Sequence, residues 1–446
     1  MSRRVERSVR PLLPDGASMA DAPGSMADAR HPTLQVLALR PVRLFSVGQF
    51  LSTLGFSLLR ATVAWHIWKV TGSYALLGTL GLVEFLPVVP LSLVGGAVAD
   101  SRDRRRIVVT TLSTSAVLAT ILIAAASTGQ HELPAILVTA FLLAVSNAFQ
   151  RPAYSALLPT LVPTDLFPSA TVVNANVRNA ALVSGPVLMG FITRGSGIAA
   201  AYTTTAVLFG CAAAFLFRLP RVRRQGPARA VSWQSVREGL SFVRSRPAIL
   251  SSMALDMLAV VFAGANALLP VFADEILGVG ELGYGLLSAS MQIGTLLMAA
   301  ILLVLPPLQQ PGRWLLWSVV FFGLSTVVFG LSRSFPLSVA AFVIAGMADQ
   351  VSMTARSIIL QLSTPDELRG RVSSVGMIFI GASNELGAAE SGYLAALTGA
   401  TFSVVFGGFA CLAIVGATAL RVPALRNYRV GAPRQTPPKG QPRSSA

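Results

Sequence analysis

The sequence predicts an all-α membrane protein in which twelve transmembrane helices form two six-helix halves. Apolar runs follow one another from about Leu44 to Leu420, and the segments between them are short and rich in turn-forming residues and arginine. A run of roughly 20 apolar residues crosses the ~30 Å hydrocarbon layer of a bilayer. The composition agrees, because 53% of the 446 residues are hydrophobic and 12% are charged, and the mean hydropathy is +0.66.

Runs bounded by Gly, Pro or charged residues delimit the predicted helices. Helices 1–6 cover 43–68, 74–99, 106–127, 134–158, 168–193 and 197–217. Helices 7–12 cover 247–273, 282–304, 314–332, 336–360, 372–396 and 400–420.

The flanking and linking segments have a different composition, rich in Arg, Pro and small polar residues, which is typical of disordered chain. We therefore predict a disordered N-terminal tail over 1–40 and a disordered C-terminal tail over 422–446. Between them lie an N-terminal half over 41–218, a basic linker over 219–246 and a C-terminal half over 247–421. Within the linker, Trp233, Leu240 and Val243 share a helical spacing, which predicts a short amphipathic helix on the inner membrane surface.

The arginines of the connecting loops predict the orientation. They gather after helix 2, throughout the linker and before helix 11, at Arg102–Arg106, 218–246 and 369–371. The alternate connections carry few cations. Because cytoplasmic loops collect Lys and Arg, both termini are predicted to be cytoplasmic, in a multi-pass protein of the plasma (inner) membrane.

Charge and residue counts exclude several classes of protein. A net charge of +16 would suggest nucleic acid as the partner of a soluble protein, but here it lies in inward loops and tails, where anionic lipid attracts it. Lys69 and Lys439 are the only lysines of the chain, so no phosphate-binding Gly-Lys-Ser/Thr loop exists. The 3 histidines and 2 cysteines lack metal-ligand spacing. We expect no cofactor, no metal and no enzyme activity.

An internal repeat appears when the second half is slid over the first at an offset of 202 residues, so that Pro163 meets Pro365 and Gly190 meets Gly392. Helices 4–5 and 10–11 are therefore the same unit. An even number of helices separates the copies, which makes them a parallel repeat related by an axis along the membrane normal.

Two motifs resemble signatures of the major facilitator superfamily. The segment 96–106, with Gly96, Asp100, Arg104 and Arg105, is similar to its loop 2–3 motif, although Ser101 and Asp103 replace an Arg and a Gly. The resemblance implies a gating role, and Gly96 would allow close helix packing. The alternative for the arginines is that they only anchor the topology.

A second motif, 184–190 in helix 5, resembles the Gly-Pro motif of exporters in that superfamily through Gly185, Pro186 and Gly190. Pro186 removes an amide donor and is expected to bend helix 5. The segments 151–163 and 366–372 look like the drug-exporter and enterobactin-exporter branch. The resemblance spans about 44–420 and implies transport driven by an ion gradient, most often proton-coupled efflux, with the substrate left open.

Ionisable residues well inside the predicted spans occur only in helices 1, 2, 4, 5, 7, 10 and 11. They are Arg60, Glu84, Arg151, Arg178, Asp256, Asp349, Arg356, Glu385 and Glu390. A charge at the bilayer centre costs ~2.5–3.5 kcal/mol on insertion scales, and the resemblance implies that helices 3, 6, 9 and 12 face lipid. Arg151 and Arg356 lie near the inner surface, where they either snorkel or serve the function.

Asp349 and Glu385 are predicted to lie close together near mid-membrane, where burial and like charge favour proton uptake. The alternative is that they are neutral hydrogen-bonding groups. Glu84, Asp256 and Glu390 are further proton-coupling candidates.

Arg60 and Glu84 flank the turn at 71–72 at matching distances and should form an ion pair. Candidates for lining a substrate cavity with oriented polar groups are Arg60, Arg178, Asn266, Gln292 and Asn384.

These observations predict a monomeric secondary transporter that works by alternating access and exports an amphipathic or hydrophobic small molecule in exchange for protons. One alternative is an importer or lysolipid flippase of the same fold. An alternative of another class is a non-transporting receptor or scaffold, which would not need acids at mid-membrane in both halves.

Overall fold

The computed structural model describes residues 32–220 and 233–430, and all regular structure in these ranges is helical. Long helices of the first half are α1 Arg40–Thr71, α2 Tyr74–Ser101, α3 Arg104–Thr128, α4 Glu132–Leu161, α5 Phe167–Ser196 and α6 Ile198–Phe217. Those of the second half are α7 Pro247–Ala263, α8 Gly280–Val304, α9 Pro311–Leu331, α10 Phe335–Ser363, α11 Arg369–Thr398 and α12 Ala400–Arg421.

Within the described residues, 9 of these segments are long and apolar enough to cross a membrane when α7 is taken with its continuation to Ile276. The other three, α2, α5 and α11, are 28, 30 and 30 residues long. All-helical architecture and a multi-pass membrane protein are thus confirmed, whereas the number of twelve crossing segments stays a prediction.

Short sequence signals end and begin the helices. Gly72 ends α1 with a φ of 56°, a left-handed conformation that favours glycine. The next residue, Ser73, caps α2 by accepting a hydrogen bond from the Leu76 amide at 3.4 Å. Asp103 caps α3 in the same way through the Arg105 amide at 3.0 Å. These caps fix the tight turns that make consecutive helices antiparallel.

Helix α7 is broken, contrary to the predicted continuous helix over 247–273. It ends at Ala263, and the chain continues through a 3₁₀ turn over Ala265–Leu268 and a π-helical turn over Phe272–Ile276. Pro270 lacks the amide that would bond to Asn266, which removes one rung of a regular helix. Asp274 and Glu275 lie in the π-helical turn that follows the break.

The two halves pack by the same scheme. Helix α1 contacts α5 and α6, and α2 contacts α4; in the second half, α7 contacts α11 and α12, and α8 contacts α10. Between the halves, α2 packs on α11 and α5 packs on α8. In the repeat, α2 corresponds to α8 and α5 corresponds to α11, so each of these interfaces is the counterpart of the other. This is the pattern of a two-fold axis along the membrane normal.

Parts of the predicted tails and linker are ordered. The short helix Pro32–Ala38 buries Val36, and Tyr428 is 2.7 Å from Ser363 through their hydroxyls, so the prediction of disorder is wrong for these stretches. The predicted linker helix is present as Trp233–Arg244. It seats Val243 against the C-terminal half, with Glu238 paired to Arg371. Predictions for 1–31, 221–232 and 431–446 lie outside the described residues.

Candidate transport site

Arg60 lies at the junction of the two halves. Its Nη2 atom is 3.4 Å from Glu84 Oε2 and 3.0 Å from Glu385 Oε1, and it also donates to Glu385 Oε2 at 3.1 Å. The predicted Arg60–Glu84 ion pair is present. The shorter contact to Glu385 was not predicted, and it joins α1 of one half to α11 of the other.

Close packing of α2 on α11 positions these groups. A Cβ atom at Gly81 would lie 2.8 Å from the Glu385 carbonyl oxygen, so glycine allows the two helices to touch. Glu84 follows Gly81 by one turn and therefore reaches the same place. The side chains of Arg60, Glu84 and Glu385 are 46%, 23% and 14% exposed, so the arginine is half-exposed while both acids are mostly buried.

Two further arginines of the N-terminal half, Arg151 of α4 and Arg178 of α5, are exposed. Neither arginine has a carboxylate within ion-pair distance among the residues that the structure describes.

The predicted pairing of Asp349 with Glu385 is not what the structure shows. Asp349 lines a small cavity with Asp256, Phe322 and Ser352, all within the C-terminal half. Glu385 instead binds Arg60. Equal depth does not fix the direction of a side chain around its helix, and α10 packs on α8 and α9 whereas α11 faces α2.

Arg356 does not snorkel to the surface. It forms an ion pair with Asp256, and these residues are 8% and 6% exposed. Ser352 donates a hydrogen bond to Asp256 Oδ1 at 3.2 Å. This buried link joins α7 to α10 inside one half, which is a structural arrangement.

We predict that Arg356→Leu or Asp256→Leu alone destabilises the protein by ~3–5 kcal/mol, because the remaining charge is buried without a partner. The double leucine variant should recover most of the loss. Thermal unfolding of purified protein measures the cycle, with Arg313→Leu at an exposed position as the control. Additive losses would contradict the pairing.

The remaining polar candidates are dispersed. Asn266 is exposed and lines a second cavity with Met291, Phe322 and Thr326. Gln292 is half-buried on α8, and Asn384 donates to the Ile380 carbonyl of its own helix. One carboxylate oxygen of Glu390 is buried without a hydrogen-bond partner. None of these groups bonds to Arg60 in the described structure.

The 96–106 motif acts inside the N-terminal half. Arg104 donates to the Ala156 carbonyl at 2.9 Å, and Arg105 donates to the Phe217 carbonyl, so both tie the basic ends of neighbouring helices together. A Cβ added at Gly96 would meet nothing within 4 Å, and the close approach falls at Gly95, against the Ala148 carbonyl. The side chain of Asp100 lies outside the described part.

The helix-5 motif packs on both halves. Pro186 leaves the Leu182 carbonyl without its helical donor, and the Ser57 hydroxyl of α1 donates to that carbonyl at 3.1 Å. Added Cβ atoms would lie 2.6 Å from Ser57 Cβ at Gly185 and 2.7 Å from the Glu281 carbonyl oxygen at Gly190. The motif thus allows α5 to touch α1 and α8.

A cluster missed by sequence reasoning joins the halves at the end away from the arginine-rich loops. We call it the distal cluster: Trp68, Lys69, Tyr74, Asp274 and Glu275. Lys69 Nζ is 3.2 Å from Asp274 Oδ2, and Trp68 Nε1 donates to the same oxygen at 3.1 Å. Tyr74 donates to Glu275 at 3.2 Å. The sequence signal for this cluster was a lysine directly after predicted helix 1 and two acids directly after predicted helix 7, in opposite halves.

Hydrogen bonds and ion pairs between fully described residues of different halves lie at the Arg60 cluster, at the distal cluster or between Thr79 and Tyr393. Trp65 and Tyr284 add a stacked pair with centroids 5.3 Å apart. The halves are therefore joined from mid-depth to the distal end.

We predict that Lys69→Glu lowers transport at least fivefold, because it places a third carboxylate beside Asp274 and Glu275 and disfavours distal closure. The exchange Lys69→Glu/Asp274→Lys should restore most of the rate. Initial rates in vesicles measure both. Equal defects in the single and the exchanged variant would show that the pair has no role in closure.

Residues 34–437 match the family model described as transmembrane secretion effector. The chain belongs to this family of major facilitator superfamily transporters. It is 26% identical over 414 residues to the enterobactin exporter EntS of Shigella boydii, a match that covers 91% of this chain and 96% of the relative. The corresponding exporter of Escherichia coli K12 is 25% identical over 420 residues, with the same coverage.

Solved transporters share the fold of this transporter. A POT family transporter bound to a thioalcohol-conjugated peptide superposes with a TM-score of 0.69 at 13% identity, covering 86% of this chain and 96% of the other. An inward-facing bacterial homologue of the human lysosomal transporter Spinster gives 0.66 at 14% identity, covering 90% and 100%. At these identities the likeness shows the fold alone.

Proposed function

We propose that this transporter exports an amphipathic or hydrophobic small molecule, drug-like or siderophore-like, in exchange for protons by alternating access. One observation carries the proposal: Arg60 of one half forms ion pairs with carboxylates from both halves, Glu84 and Glu385. The names of the relatives, which are exporters, support the direction.

The Arg60–Glu385 contact acts as a lock on the empty transporter, because it crosses the interface that must rearrange. A proton on Glu385 removes the acceptor charge and weakens this contact. Substrate that engages Arg60 removes the donor. Substrate is exchanged for protons if protonation of Glu385 or binding of substrate breaks this contact, and if the transporter that carries neither a proton nor substrate keeps it. Glu84 shares the arginine, while Asp349, Asp256 and Glu390 stay secondary candidates.

Alternating access requires the two ends to open in turn. The distal cluster is closed here, which supports a resting state open toward the arginine-rich end. We place that end in the cytoplasm, with the protein in the inner membrane, because cationic loops are retained there. Rocking of the halves would then break Lys69–Asp274 and open the distal side.

Everted membrane vesicles from cells that make the protein test the proposal. The arginine-rich end faces the medium in such vesicles, so ethidium, dansylglycine or dansylglycinamide should accumulate when the lumen is acidic and should leave when a protonophore is added. Vesicles without the protein are the control. Movement only in the opposite direction would favour an importer, transfer of a dansyl lysolipid would favour a flippase, and no movement would favour a receptor.

Cysteine labelling tests the predicted orientation of the loops, in a variant in which Cys211 and Cys411 are replaced by Ala. Cysteine at Ser101 should react only with membrane-permeant maleimide in intact cells, because that loop carries Arg102. Cysteine at Gln130 should also react with an impermeant maleimide. Both positions are exposed at helix ends. Labelling of position 101 from outside would reverse the topology.

A further inference from the structure

A buried chain of polar side chains holds the distal end of α1 inside the N-terminal half. His66 of α1 lies between Tyr202 of α6 and Glu132 in the first turn of α4. Its Nδ1 atom is 3.0 Å from the Tyr202 hydroxyl, and its Nε2 atom is 3.3 Å from Glu132 Oε2. His66 and Tyr202 are 3% and 0% exposed. Three helices therefore meet at one imidazole ring that the transport site does not use.

These two contacts fix the positions of the protons when the ring is neutral. An ionised carboxylate can only accept, so Nε2–H donates to Glu132, and Nδ1 is left to accept from the Tyr202 hydroxyl. A further proton turns Nδ1 of His66 into a donor. The hydroxyl hydrogen of Tyr202 then has no other acceptor among the residues that the structure describes. A buried donor that loses its acceptor is costly, so the arrangement seen here fits the neutral ring.

The same stretch of α1 carries contacts between the halves. Trp65 stacks on Tyr284 of α8, and Lys69 pairs with Asp274 in the distal cluster. Together with His66, Trp65 and Lys69 occupy less than two turns of one helix, so they move together when α1 tilts. The contact of His66 with α6 therefore holds the segment that must move when the distal end opens.

Protons can reach this ring from the distal side. Glu132 begins α4 beside the exposed His131, and its own side chain is 17% exposed. The ionisable groups that contact or adjoin the ring come from each helix packed around it: Glu132 of α4, Tyr202 of α6 and Lys69 of α1. Lys69 turns to Asp274 instead. Within the described ranges, Glu132 is thus the one carboxylate at ion-pair distance from His66.

We propose that His66 is a second proton-binding site, loaded from the distal side, and that its protonation favours opening of the distal end. The inference deepens the proposed function and rests on its alternating access. In the closed state a proton on His66 leaves the Tyr202 hydroxyl without an acceptor, whereas separation of α1 from α6 exposes that hydroxyl to water. A ligand shifts an equilibrium toward the state that binds it better. Acid on the distal side therefore shifts the transporter toward distal opening.

Solid-state NMR of protein with isotope-labelled histidine, in lipid bilayers, measures this proton directly. The chain has 3 histidines, and His66→Gln assigns the signal of His66 by its loss. The ring nitrogens should change from the neutral to the charged form between about pH 8 and about pH 5, the range in which histidine titrates in proteins.

The distance between the halves measures the response of the distal end. Cysteines at Gln130 and Thr398, both exposed at distal helix ends, carry spin labels in the variant without Cys211 and Cys411. Pulsed electron resonance then gives the populations of closed and open distances. Acidification from about pH 8 to about pH 5 should raise the open population about fivefold or more, the lower limit for a buried donor that loses its acceptor.

His66→Gln should remove most of this increase. Glutamine can donate to Glu132 and accept from Tyr202, as the neutral ring does, but it takes up no proton. His131→Gln is the matched control, because it removes the exposed distal histidine beside Glu132, and its response should equal that of the wild type. Thermal unfolding checks the fold of each variant.

Tyr202→Phe separates the proposed mechanism from a structural role of the histidine. Phenylalanine has no hydroxyl that could lose its acceptor, so the closed state no longer resists the proton. The NMR signal of His66 should still titrate, while the increase in open population should fall to about half or less.

A His66 ring that stays neutral at about pH 5 would overturn the inference. So would a distal end that stays closed or closes further on acidification, or an undiminished response in His66→Gln. These measurements need neither substrate nor gradient. Proton-driven export in everted vesicles with an unresponsive His66 would refute only the inference. A distal response that His66→Gln removes, without movement of any probe, would refute only the export function.

Discussion

Replacement of Glu385 by Gln should abolish proton-driven transport while the protein remains folded. Glutamine keeps the size and a hydrogen-bonding oxygen but cannot take up or release a proton, so the contact with Arg60 no longer responds to pH. We expect uptake into acid-loaded everted vesicles to fall at least tenfold. Exchange of labelled for unlabelled substrate across the membrane, which needs no proton, should be reduced much less.

Asp349→Asn provides the matched comparison, because this acid also lies within the C-terminal half but lines a cavity away from Arg60. Its effect on gradient-driven uptake should be smaller than that of Glu385→Gln. The reverse order, with normal coupling in Glu385→Gln and loss in Asp349→Asn, would move the proton site to the α10 cavity. Glu84→Gln should give an intermediate defect, since Glu84 is the more distant acid of Arg60.

Arg60→Ala should be the most damaging change in this cluster. It leaves Glu84 and Glu385 close together without their counter-ion, and both acids are mostly buried. We expect a loss of about 1–3 kcal/mol of stability, less than the ~3–5 kcal/mol of a fully desolvated pair, because the Arg60 side chain is half-exposed. Expression and transport should fall with it.

The double variant Arg60→Ala/Glu84→Ala should be more stable than Arg60→Ala, because one of the two uncompensated carboxylates is gone. Thermal unfolding and expression measure this cycle, and Arg60→Ala/Glu385→Ala provides its counterpart. Strictly additive losses in both cycles would show that the groups do not interact. If Arg60 also holds substrate, transport stays lost in both double variants even where stability recovers.

The sequence predicts how deep in the membrane a residue lies along its helix, but it does not predict which neighbouring helix the side chain faces. Counting from the turn at 71–72 placed Arg60 and Glu84 at one level, and the structure pairs them. The same counting brought Asp349 and Glu385 together, although their helices have different neighbours. Arg356 was predicted either to snorkel to the surface or to serve the function, whereas it turns inward and pairs with Asp256.

Other features depend on contacts between helices, which a single sequence does not reveal. Gly96 and Gly95 are adjacent, and only the packing of α2 on α4 selects Gly95 as the point of close approach. The distal cluster was missed because Asp274 was assigned to a connecting loop, and the break of α7 that places it opposite Lys69 depends on Pro270 and Gly264 together. Fold class and family, by contrast, followed from hydropathy and short motifs.

The contact between Gly78 and Gly392 has a mechanical consequence. The two backbones meet with no side chain between them, since a Cβ at Gly392 would lie 2.5 Å from Gly78 Cα. Because neither glycine carries a side chain that could interlock, α2 and α11 would be able to slide against each other at this point if the halves rock as proposed. A larger residue at either position would hold the two helices apart there and would therefore shift the balance between the conformations of the transporter.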